Sequence, residues 1–570
     1  MRIKFHGAIG TVIGSCYELY EPSSNVRFLV DCGMQQGESG ARQWYRQEFP
    51  FDPASLDFVV LTHGHVDHCG LIPLLYTQGF TGEVYCTQET TEVATKVLRN
   101  SAKYSNLYDG ADVERIRWRE HGEGPLFEKW FQAAGDIYFR YFRSGHILGA
   151  TSVEFWWGAP GDNNRILFSG DLGNNTQGAE FQPLMRHRMK PDTRDTANDR
   201  YVVMESTCGG HDMSAAHRSF EKRQQRLLEV IQHTVRQKRG TLLMPCFAVQ
   251  RTQDVLFDLH YLFATHPELS DIPVYFDAKM ADEINRSYAT GLGRQKENID
   301  GDNVPAWLNE RLFEWMGLGS ATPENRQLLV DLLQEMLVEE VTLSKRRKKH
   351  RSPVVQQWKK IWRSVDTGYE MPEEVGGPCV VVTGGGMCSG GPVVSYLQKL
   401  ARQAMHTVLL TGYCGASTNG GKLRNLAGKS RAQRRSCDDA LDIGGEHSIP
   451  CADVRADIEH IGGYSGHADR KELIDWLFPD GEAGATPLGA TVFLTHGTDN
   501  ARMSLRDNIV GYARRLNRQG AEIPGGFEVE LPTTKHGWFD LDCGRWCSSN
   551  QERSDESIEN AVTSAAQYVV

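Results

Sequence analysis

The sequence has no run approaching 18 consecutive apolar residues, so it predicts no transmembrane helix. Its first residues, Met1 to Gly7, lack an apolar core, and no secretory leader is expected there. Positive charge is also scarce: 62 Lys and Arg stand against 73 Asp and Glu, a formal net charge of −11 at pH 7. A chain with that balance does not hold a polyanion by bulk charge. A nucleic-acid substrate would need a local basic groove and metal ions. Regular cysteine spacing is missing too. The 13 cysteines are scattered, and Cys543 and Cys547 have no second pair with which to build a zinc ribbon. Reduced thiols in a cytoplasmic compartment are the simplest account. With 570 residues, 40% hydrophobic content, 24% charged content and 57 glycines, the chain reads as a soluble, loop-rich globular enzyme. Its length allows about two to four domains.

Histidine is concentrated in one stretch, Leu61-Thr62-His63-Gly64-His65-Val66-Asp67-His68-Cys69-Gly70. Three imidazoles and a carboxylate fall within six residues, directly after Phe58-Val59-Val60-Leu61. That apolar run reads as a buried strand and puts the cluster on the loop leaving its C-terminal end. Borderline metals such as zinc take His nitrogen and Asp oxygen, and a catalytic site keeps a position open for water. Four ligands on one tight loop cannot surround a single ion without strain. Two adjacent ions, one on His63 and His65 and the other on Asp67 and His68, fit better. A solvated His-rich loop is the bland alternative, and the dense alternation argues against it.

Along the chain, Tyr17–Tyr20 and Val26–Val30 read as strands, the second ending in Asp31-Cys32-Gly33. Leu71–Tyr76 and Glu92–Tyr104 read as helices. His146 lies in Gly145–Ala150, and Asp171 follows the strand-like Arg165–Phe168, so both sit where fixed ligands are best presented. A second region opens near Tyr201–Thr207. Helices at Ser219–Gln237, Thr252–Phe263 and Met280–Tyr288 alternate with strands at Thr241–Met244 and Ile272–Phe276, the rhythm of a parallel sheet. Residues 292–372 lose that rhythm and read as a polar, helix-rich insertion carrying the basic run Lys345–Arg351. The rhythm resumes at Cys379–Val382, which leads into the glycine-rich Gly384–Gly391, and again at Thr407–Leu410. From about Asp453 the pattern changes once more, through Ile461–Asp469 to the strand Thr491–Leu494 and Thr495-His496-Gly497.

Asp31, the run His63 to His68, His146 and Asp171 occur in the order of the metallo-β-lactamase superfamily pattern. Glu205 in Glu-Ser-Thr, His467 in Ser-Gly-His-Ala-Asp and His496 in Thr-His-Gly match the added motifs of its β-CASP branch. Phe247–Arg251 and Gly385-Gly386-Met387 extend the likeness. The chain therefore resembles the β-CASP nucleases nearly throughout, apart from the insertion and a polar tail. It departs from the usual wording at Thr498, where Glu is common, and at Tyr413-Cys414-Gly415-Ala416-Ser417. The resemblance implies an α/β protein: a four-layer αββα metallo-β-lactamase sandwich with an inserted parallel α/β β-CASP domain. The corresponding spans are 1–208, 209–454 (with the 292–372 insertion), 455–547 and a tail at 548–570, with the active site expected at the cleft between the domains. RNA-processing members carry His at the last motif where DNA-repair members carry Val. His496 thus points to RNA and to bacterial relatives of the cleavage-and-polyadenylation nuclease.

Phosphodiester hydrolysis needs a nucleophile at neutral pH, charge neutralisation on the phosphate and a proton for the leaving oxygen. The resemblance implies two zinc ions, in a ligand set that also accepts manganese. His63, His65 and His146 would hold one, Asp67, His68 and His496 the other, and Asp171 would bridge them. Asp67 would also orient the nucleophile, and Asp31 would stand behind the ligands, holding an imidazole. His467 is not needed for coordination, so it is free to act as general acid, with Glu205 keeping it in place and protonated. The plainer readings are a polar residue in a glycine-rich turn for His467, and a helix N-cap network with Ser206 and Thr207 for Glu205. Gly386, Ser389 and Arg251 are candidate contacts to a substrate phosphate, although a tight strand-to-helix turn accounts for the glycines equally well. The basic run either guides RNA or is a solvated loop. The expected activity is a two-metal ribonuclease, endo- or 5′-exonucleolytic or both, acting on single-stranded RNA in processing or decay. It would work in the cytoplasm with no membrane partner, and a homodimer is admitted. A DNA nuclease of the same architecture and a catalytically silent RNA-binding subunit are the alternatives, the latter disfavoured by the intact ligand set.

Overall fold

The computed structural model describes residues 1–35, 49–121, 127–158, 164–191, 200–299, 302–338, 362–365, 371–444, 447–481, 486–521 and 523–547. The chain divides into two compact units. One comprises Met1–Gly173, Arg188–Asp212 and the chain from His467 onward; the other comprises Asn174–His187 and Met213–Gly466. The basic run Lys345–Arg351 and the tail 548–570 lie outside the described residues.

In the first unit, two mixed sheets face each other. The eight-stranded sheet runs Arg545–Trp546, Phe539–Asp540, Arg2–Phe5, Cys16–Glu21, Val26–Cys32, Phe58–Val60, Glu83–Thr87, Trp118–His121. The seven-stranded sheet runs Glu528–Glu530, Thr491–Thr495, Arg200–Glu205, Arg165–Phe168, Thr151–Trp157, Ile137–Arg143, Phe131–Ala134. Val26–Cys32 and Phe58–Val60 are apolar almost without interruption because both faces are covered. Between the sheets lies an aromatic layer: Phe28 meets Phe155 at 5.1 Å, Tyr17 meets Phe168 at 5.7 Å, Tyr85 meets Phe139 at 5.4 Å and Phe5 meets Phe493 at 5.2 Å. Helices cover the outer faces. Gln88–Ser101 packs on the first sheet. On the second, Leu473, Trp476 and Leu477 of Arg470–Leu477 join Leu505, Ile509 and Leu516 of Asp499–Arg518 in one buried cluster with Leu167, Val202 and Val492. This is the αββα sandwich.

The second unit is built on a six-stranded parallel sheet in the order Trp362–Ser364, Val274–Asp277, Cys379–Gly384, Thr241–Cys246, Thr407–Leu410, Asp457–His460. Crossover helices Phe220–Ile231, Arg251–Thr265, Lys279–Gly291, Val393–Leu400 and Asn419–Leu426 alternate with these strands.

Three expectations are corrected. The His-rich run is not all loop: His65 caps a one-turn helix, Val66–Cys69, that carries Asp67 and His68. The described part of the polar, helix-rich insertion read at 292–372 also holds strands. It contains the hairpin Gln295–Ile299/Asp302–Pro305 and the helix Pro323–Leu337, which packs on two crossover helices, and it ends in Trp362–Ser364, itself the edge strand of the sheet. Finally, Asn174–His187 groups with the second unit. Its backbone is tied there by Gln182 Nε2 donating to Gly463 O at 2.5 Å and by Arg311 Nη1 donating to Glu180 O at 2.8 Å.

Phe28 is fully buried in the aromatic layer and stacks on Phe58 at 4.5 Å as well. Phe28→Ala is expected to destabilise the first unit by about 3–5 kcal/mol. Chemical denaturation checks this, and a loss below about 1 kcal/mol would show that the layer is not tightly packed.

Candidate metal centre

Parallel pairing brings the distant parts of the site together. Glu205, last in its strand, sits in register with Thr495, last in the neighbouring strand, so Glu205 and His496 leave the sheet side by side. Asp31 and His496 both adopt left-handed backbone conformations at strand ends, with φ of 58° and 47°. Strain of this kind persists where the surroundings over-determine it, and it clusters at functional sites. Here hydrogen bonds supply the restraint. His496 N–H donates to Ala8 O at 2.7 Å, and Asp31 accepts both the N–H (2.8 Å) and the hydroxyl (2.9 Å) of Thr62. The one-turn helix is pressed onto Gly33, where an added Cβ would come within 1.7 Å of Asp67 O.

The side chains form two donor sets. In the first, His63 Nε2 lies 3.1 Å from His65 Nδ1, His146 Nε2 lies 3.2 Å from the same nitrogen, and Asp171 Oδ2 lies 3.6 Å from both Nε2 atoms. In the second, His496 Nε2 lies 3.2 Å from His68 Nε2 and 3.3 Å from Asp67 Oδ2. The other oxygen of Asp171, Oδ1, is 3.4 Å from His68 Nε2. One buried carboxylate thus turns an oxygen to each set. Oδ1 is closed off from solvent and accepts no hydrogen bond, an orphaned acceptor surrounded by ring nitrogens.

The partners of the rings decide which nitrogen is free. Thr62 Oγ1 donates to Asp31, so its lone pairs are left for His63 Nδ1 at 3.1 Å. Thr207 Oγ1 donates to His496 O at 3.1 Å and faces His496 Nδ1 at 3.0 Å. His68 Nδ1 lies 2.7 Å from Asp31 Oδ2. Each arrangement favours a proton on Nδ1 and leaves Nε2 with its lone pair aimed at the cluster, the usual setting of a metal-bound imidazole. Neutral imidazoles and carboxylates converging on an orphaned oxygen fit a pair of divalent cations.

The electrostatics of the protein alone set the rings apart: burial opposes a charge on His68, but Asp171 and Asp31 prevail and raise its pKa well above the usual value. Burial lowers the pKa of His63, and it lowers that of His65 to about 4. Burial would raise Asp67, but the hydrogen bond with His496 and the charges of His68 and His496 hold it down to about 2. His467 is raised as well. Burial opposes its charge, but the charge and hydrogen bond of Glu205 prevail and raise its pKa to about 9. Its Nδ1 is 3.2 Å from Glu205 Oε2, and its Nε2 is 4.0 Å from Asp171 Oδ2. Glu205 is buried, accepts the N–H of Leu172 at 2.6 Å and faces the N–H of Thr207 at 3.3 Å. Asp171, Glu205 and His467 also lie close enough to hold an ion, but the Glu205 oxygens are engaged by these donors, which suits a carboxylate that fixes an imidazole. No described helix starts at Ser206, so the N-cap reading of Glu205 is not realised; the next begins at Phe220.

All ten residues from Asp31 to His496 named for this centre therefore meet in the first unit. Gly386, Ser389 and Arg251 belong to the second. The Ser389 hydroxyl is engaged there, accepting Asn419 N–H at 2.9 Å and facing Met387 O at 3.3 Å, so it offers no free group to a phosphate. The sequence gives no sign that Thr62 and Thr207 face the rings of His63 and His496, Thr207 standing there only as part of an N-cap network. The departure at Thr498 has a local explanation: its side chain caps the helix Asp499–Arg518 by accepting Ala501 N–H.

Comparison with known proteins covers three stretches. A model of the metallo-β-lactamase superfamily matches residues 9–200, one of the β-CASP domain matches 252–423, and one of the Zn-dependent metallo-hydrolase RNA specificity domain matches 452–515. The chain is similar to Ribonuclease TTHA0252 of Thermus thermophilus, 28% identical over 533 residues covering 92% of this chain and 100% of that protein. It is similar to Transcription termination factor FttA of Methanocaldococcus jannaschii, 24% identical over 535 residues, 92% of this chain and 70% of that one. An RNase J-like protein of the same organism is 25% identical over 427 residues, 75% of this chain and 80% of its own length.

Thr207→Val is expected to weaken metal affinity by about 10–100-fold, because the His496 ring loses its orienting partner. Thr207→Ser should restore it. Competition titration with a chromogenic chelator measures both, and unchanged affinity in the Val variant would remove Thr207 from the centre.

Proposed function

Because this chain belongs to the β-CASP branch of the metallo-β-lactamase superfamily of metallo-hydrolases, we propose that it is a ribonuclease, cutting phosphodiester bonds of single-stranded RNA with two zinc ions. The observation that carries the reading is the position of His467. It stands against both donor sets without being needed by either, its Nδ1 held by Glu205 and its Nε2 turned to Asp171. Two donor sets sharing one carboxylate, with a separate protonated imidazole beside them, are the parts in-line hydrolysis of a phosphodiester requires.

His63, His65 and His146 would hold one ion, Asp67, His68 and His496 the other, with Asp171 shared. Such ions supply charge neutralisation for the phosphate and a water of lowered pKa. The protein's own residues do the rest. His467 gives its proton to the leaving oxygen from Nε2. Glu205 keeps the ring charged and oriented through Nδ1. Asp67, whose side chain is 20% exposed, faces the open side of the centre and orients the nucleophile. Asp31 and Thr62 hold the rings of His68 and His63 from behind.

The RNA preference is supported by the specificity-domain match, which spans both His467 and His496, and by the names of the similar proteins. A cytosolic site of action suits 13 cysteines of which none is paired, and no described helix is long and apolar enough to cross a membrane.

End-labelled single-stranded RNA should be cut by the metal-loaded protein, and matched DNA much more slowly. His467→Ala should keep both ions and lose about 10²–10⁴-fold in rate. No RNA cleavage by a protein shown by mass spectrometry to carry two ions would overturn the nuclease reading, and equal cleavage of DNA would overturn the RNA preference.

The pH profile tests the acid itself. A general acid works only while protonated, so the rate should fall as pH rises through the pKa of His467. Glu205→Gln removes the charge that raises this pKa, and the alkaline limb should then move to lower pH. An unmoved limb would mean that another group supplies the proton.

A further inference from the structure

At the carboxyl ends of the second unit's sheet, one cation has no counterpart. Arg251 opens the helix Arg251–Thr265, and among the described residues its buried Nε and Nη1 have no hydrogen-bond partner. Asp254, whose charge it feels, is engaged elsewhere: its two oxygens accept from Gln250 Nε2 at 3.1 and 3.0 Å. Burial also raises Asp254 to about 7, so much of its charge is lost near neutrality. A buried guanidinium left this way is costly unless an anion completes it.

The backbone holds it there under strain. Gln250 has φ 64° and ψ −52°, and Arg251 N–H donates to Val249 O at 2.8 Å, a three-residue turn of the rare positive-φ kind. Gln250 is locked by Asp254 and by the Tyr288 hydroxyl at 2.8 Å. The result is a guanidinium 5.6 Å above the Tyr464 ring, beside the loop that leaves Thr407–Leu410. A Cβ on Gly412 would lie 3.8 Å from Arg251 Nε. The next residue, Tyr413, is 66% exposed, and the Arg424 guanidinium lies 5.3 Å from its ring centre. Burial lowers the pKa of His460, at the end of Asp457–His460, and the charges of Arg424 and Arg251 add to this, so the two guanidinium groups share one region.

The topology favours a ligand at this place. Thr241–Cys246 and Thr407–Leu410 are neighbours, yet the chain leaves the first toward Val274–Asp277 and the second toward Asp457–His460, on opposite sides. Open parallel sheets bind ligands outside the carboxyl ends of the strands where connections diverge in this way. A buried cation next to an exposed aromatic ring pairs with the two halves of a nucleotide, the phosphate and the base face.

We propose that this edge is a nucleotide subsite for single-stranded RNA, in which Arg251 takes a phosphodiester oxygen and the open face of Tyr413 stacks one base, with Arg424 backing the ring. The subsite deepens the ribonuclease reading and rests on it.

The test is binding of a fluorescent 12-nucleotide oligouridine by the full chain carrying His467→Ala, so that substrate survives, with cleavage by the wild type followed in parallel. In that background Tyr413→Ala should bind about 10-fold more weakly, the size of a lost base stack, while Tyr413→Phe binds normally. Oligonucleotides with one abasic residue moved along the chain locate the base: at one position Tyr413→Ala should cause no further loss. Arg251→Gln should weaken binding and flatten the log–log salt dependence by about 0.7, one phosphate contact. If the wild type cuts the RNA but Tyr413→Ala and Arg251→Gln bind like their parent with the same salt slope, the subsite is wrong and the nuclease reading stands. If the wild type neither binds nor cuts the RNA, both fall. Tyr413 is a surface residue, so its variant reports on binding even if Arg251→Gln fails to fold.

Discussion

The Asp171 carboxylate sets the terms for the first unit. It is 2% exposed, and its oxygens face different groups of ring nitrogens at 3.4 to 3.6 Å. A carboxylate in that setting would ordinarily be neutralised by a proton, because burial penalises its charge. Here the surrounding imidazoles reverse the outcome and push its pKa well below the usual range. Two divalent ions at the donor sets would supply the positive charge that this carboxylate faces and leave the ligand imidazoles neutral. Without such ions the centre can be held together only by protonating histidines that the geometry otherwise presents as lone-pair donors.

That requirement explains features that local propensity does not. Two non-glycine residues with positive φ, Asp31 and His496, occupy strand ends where other conformations would turn their side chains away. The hydroxyls of Thr62 and Thr207 have the same task just past the ends of different strands, receiving Nδ1 of one ring so that Nε2 is delivered to the centre. The sandwich acts as a jig. Its sheets bring together positions more than 400 residues apart, such as His68 and His496, and the aromatic layer between them resists the shifts that would loosen ligand spacing.

Much of the cluster was legible in advance because residues able to hold a metal sit at short, unusual spacings. His63, His65, Asp67 and His68 are conspicuous as a run, and Asp31, His146 and Asp171 betray themselves at strand ends beside glycine. The alternation of strand and helix exposed the parallel sheet for a similar reason: each crossover needs an apolar helix of fixed minimum length. What stayed hidden has no such periodicity. A hydroxyl that orients a ring, as in Thr207, needs only one contact, and threonine is too common to mark it. The edge strand Trp362–Ser364 is three residues long, too short to show alternation. Asn174–His187 joins the second unit through side-chain bonds to its backbone, such as Gln182 to Gly463, rather than through a hydrophobic pattern. Tyr413 showed only as a departure from family wording, since exposure and a stacked arginine are properties of the folded chain.

The placement of Glu205 links the acid to the shared ligand more closely than the two donor sets alone suggest. Its Oε1 accepts the N–H of Leu172, the residue that follows Asp171, while the same carboxylate holds Nδ1 of His467. Ala468 N–H in turn donates to Leu172 O at 2.7 Å, so the peptides next to Asp171 and to His467 are tied to each other. A displacement of Asp171 is therefore carried to His467 through one peptide unit and two hydrogen bonds, and the converse holds. In the proposed reaction, rigid coupling of this kind would keep the proton donor at a fixed distance from the point where the leaving oxygen is released, which is what general-acid catalysis demands of a group whose reach is one hydrogen bond. It also sets a direction for causes: burial opposes a charge on His467, and the Glu205 carboxylate held beside it reverses the outcome.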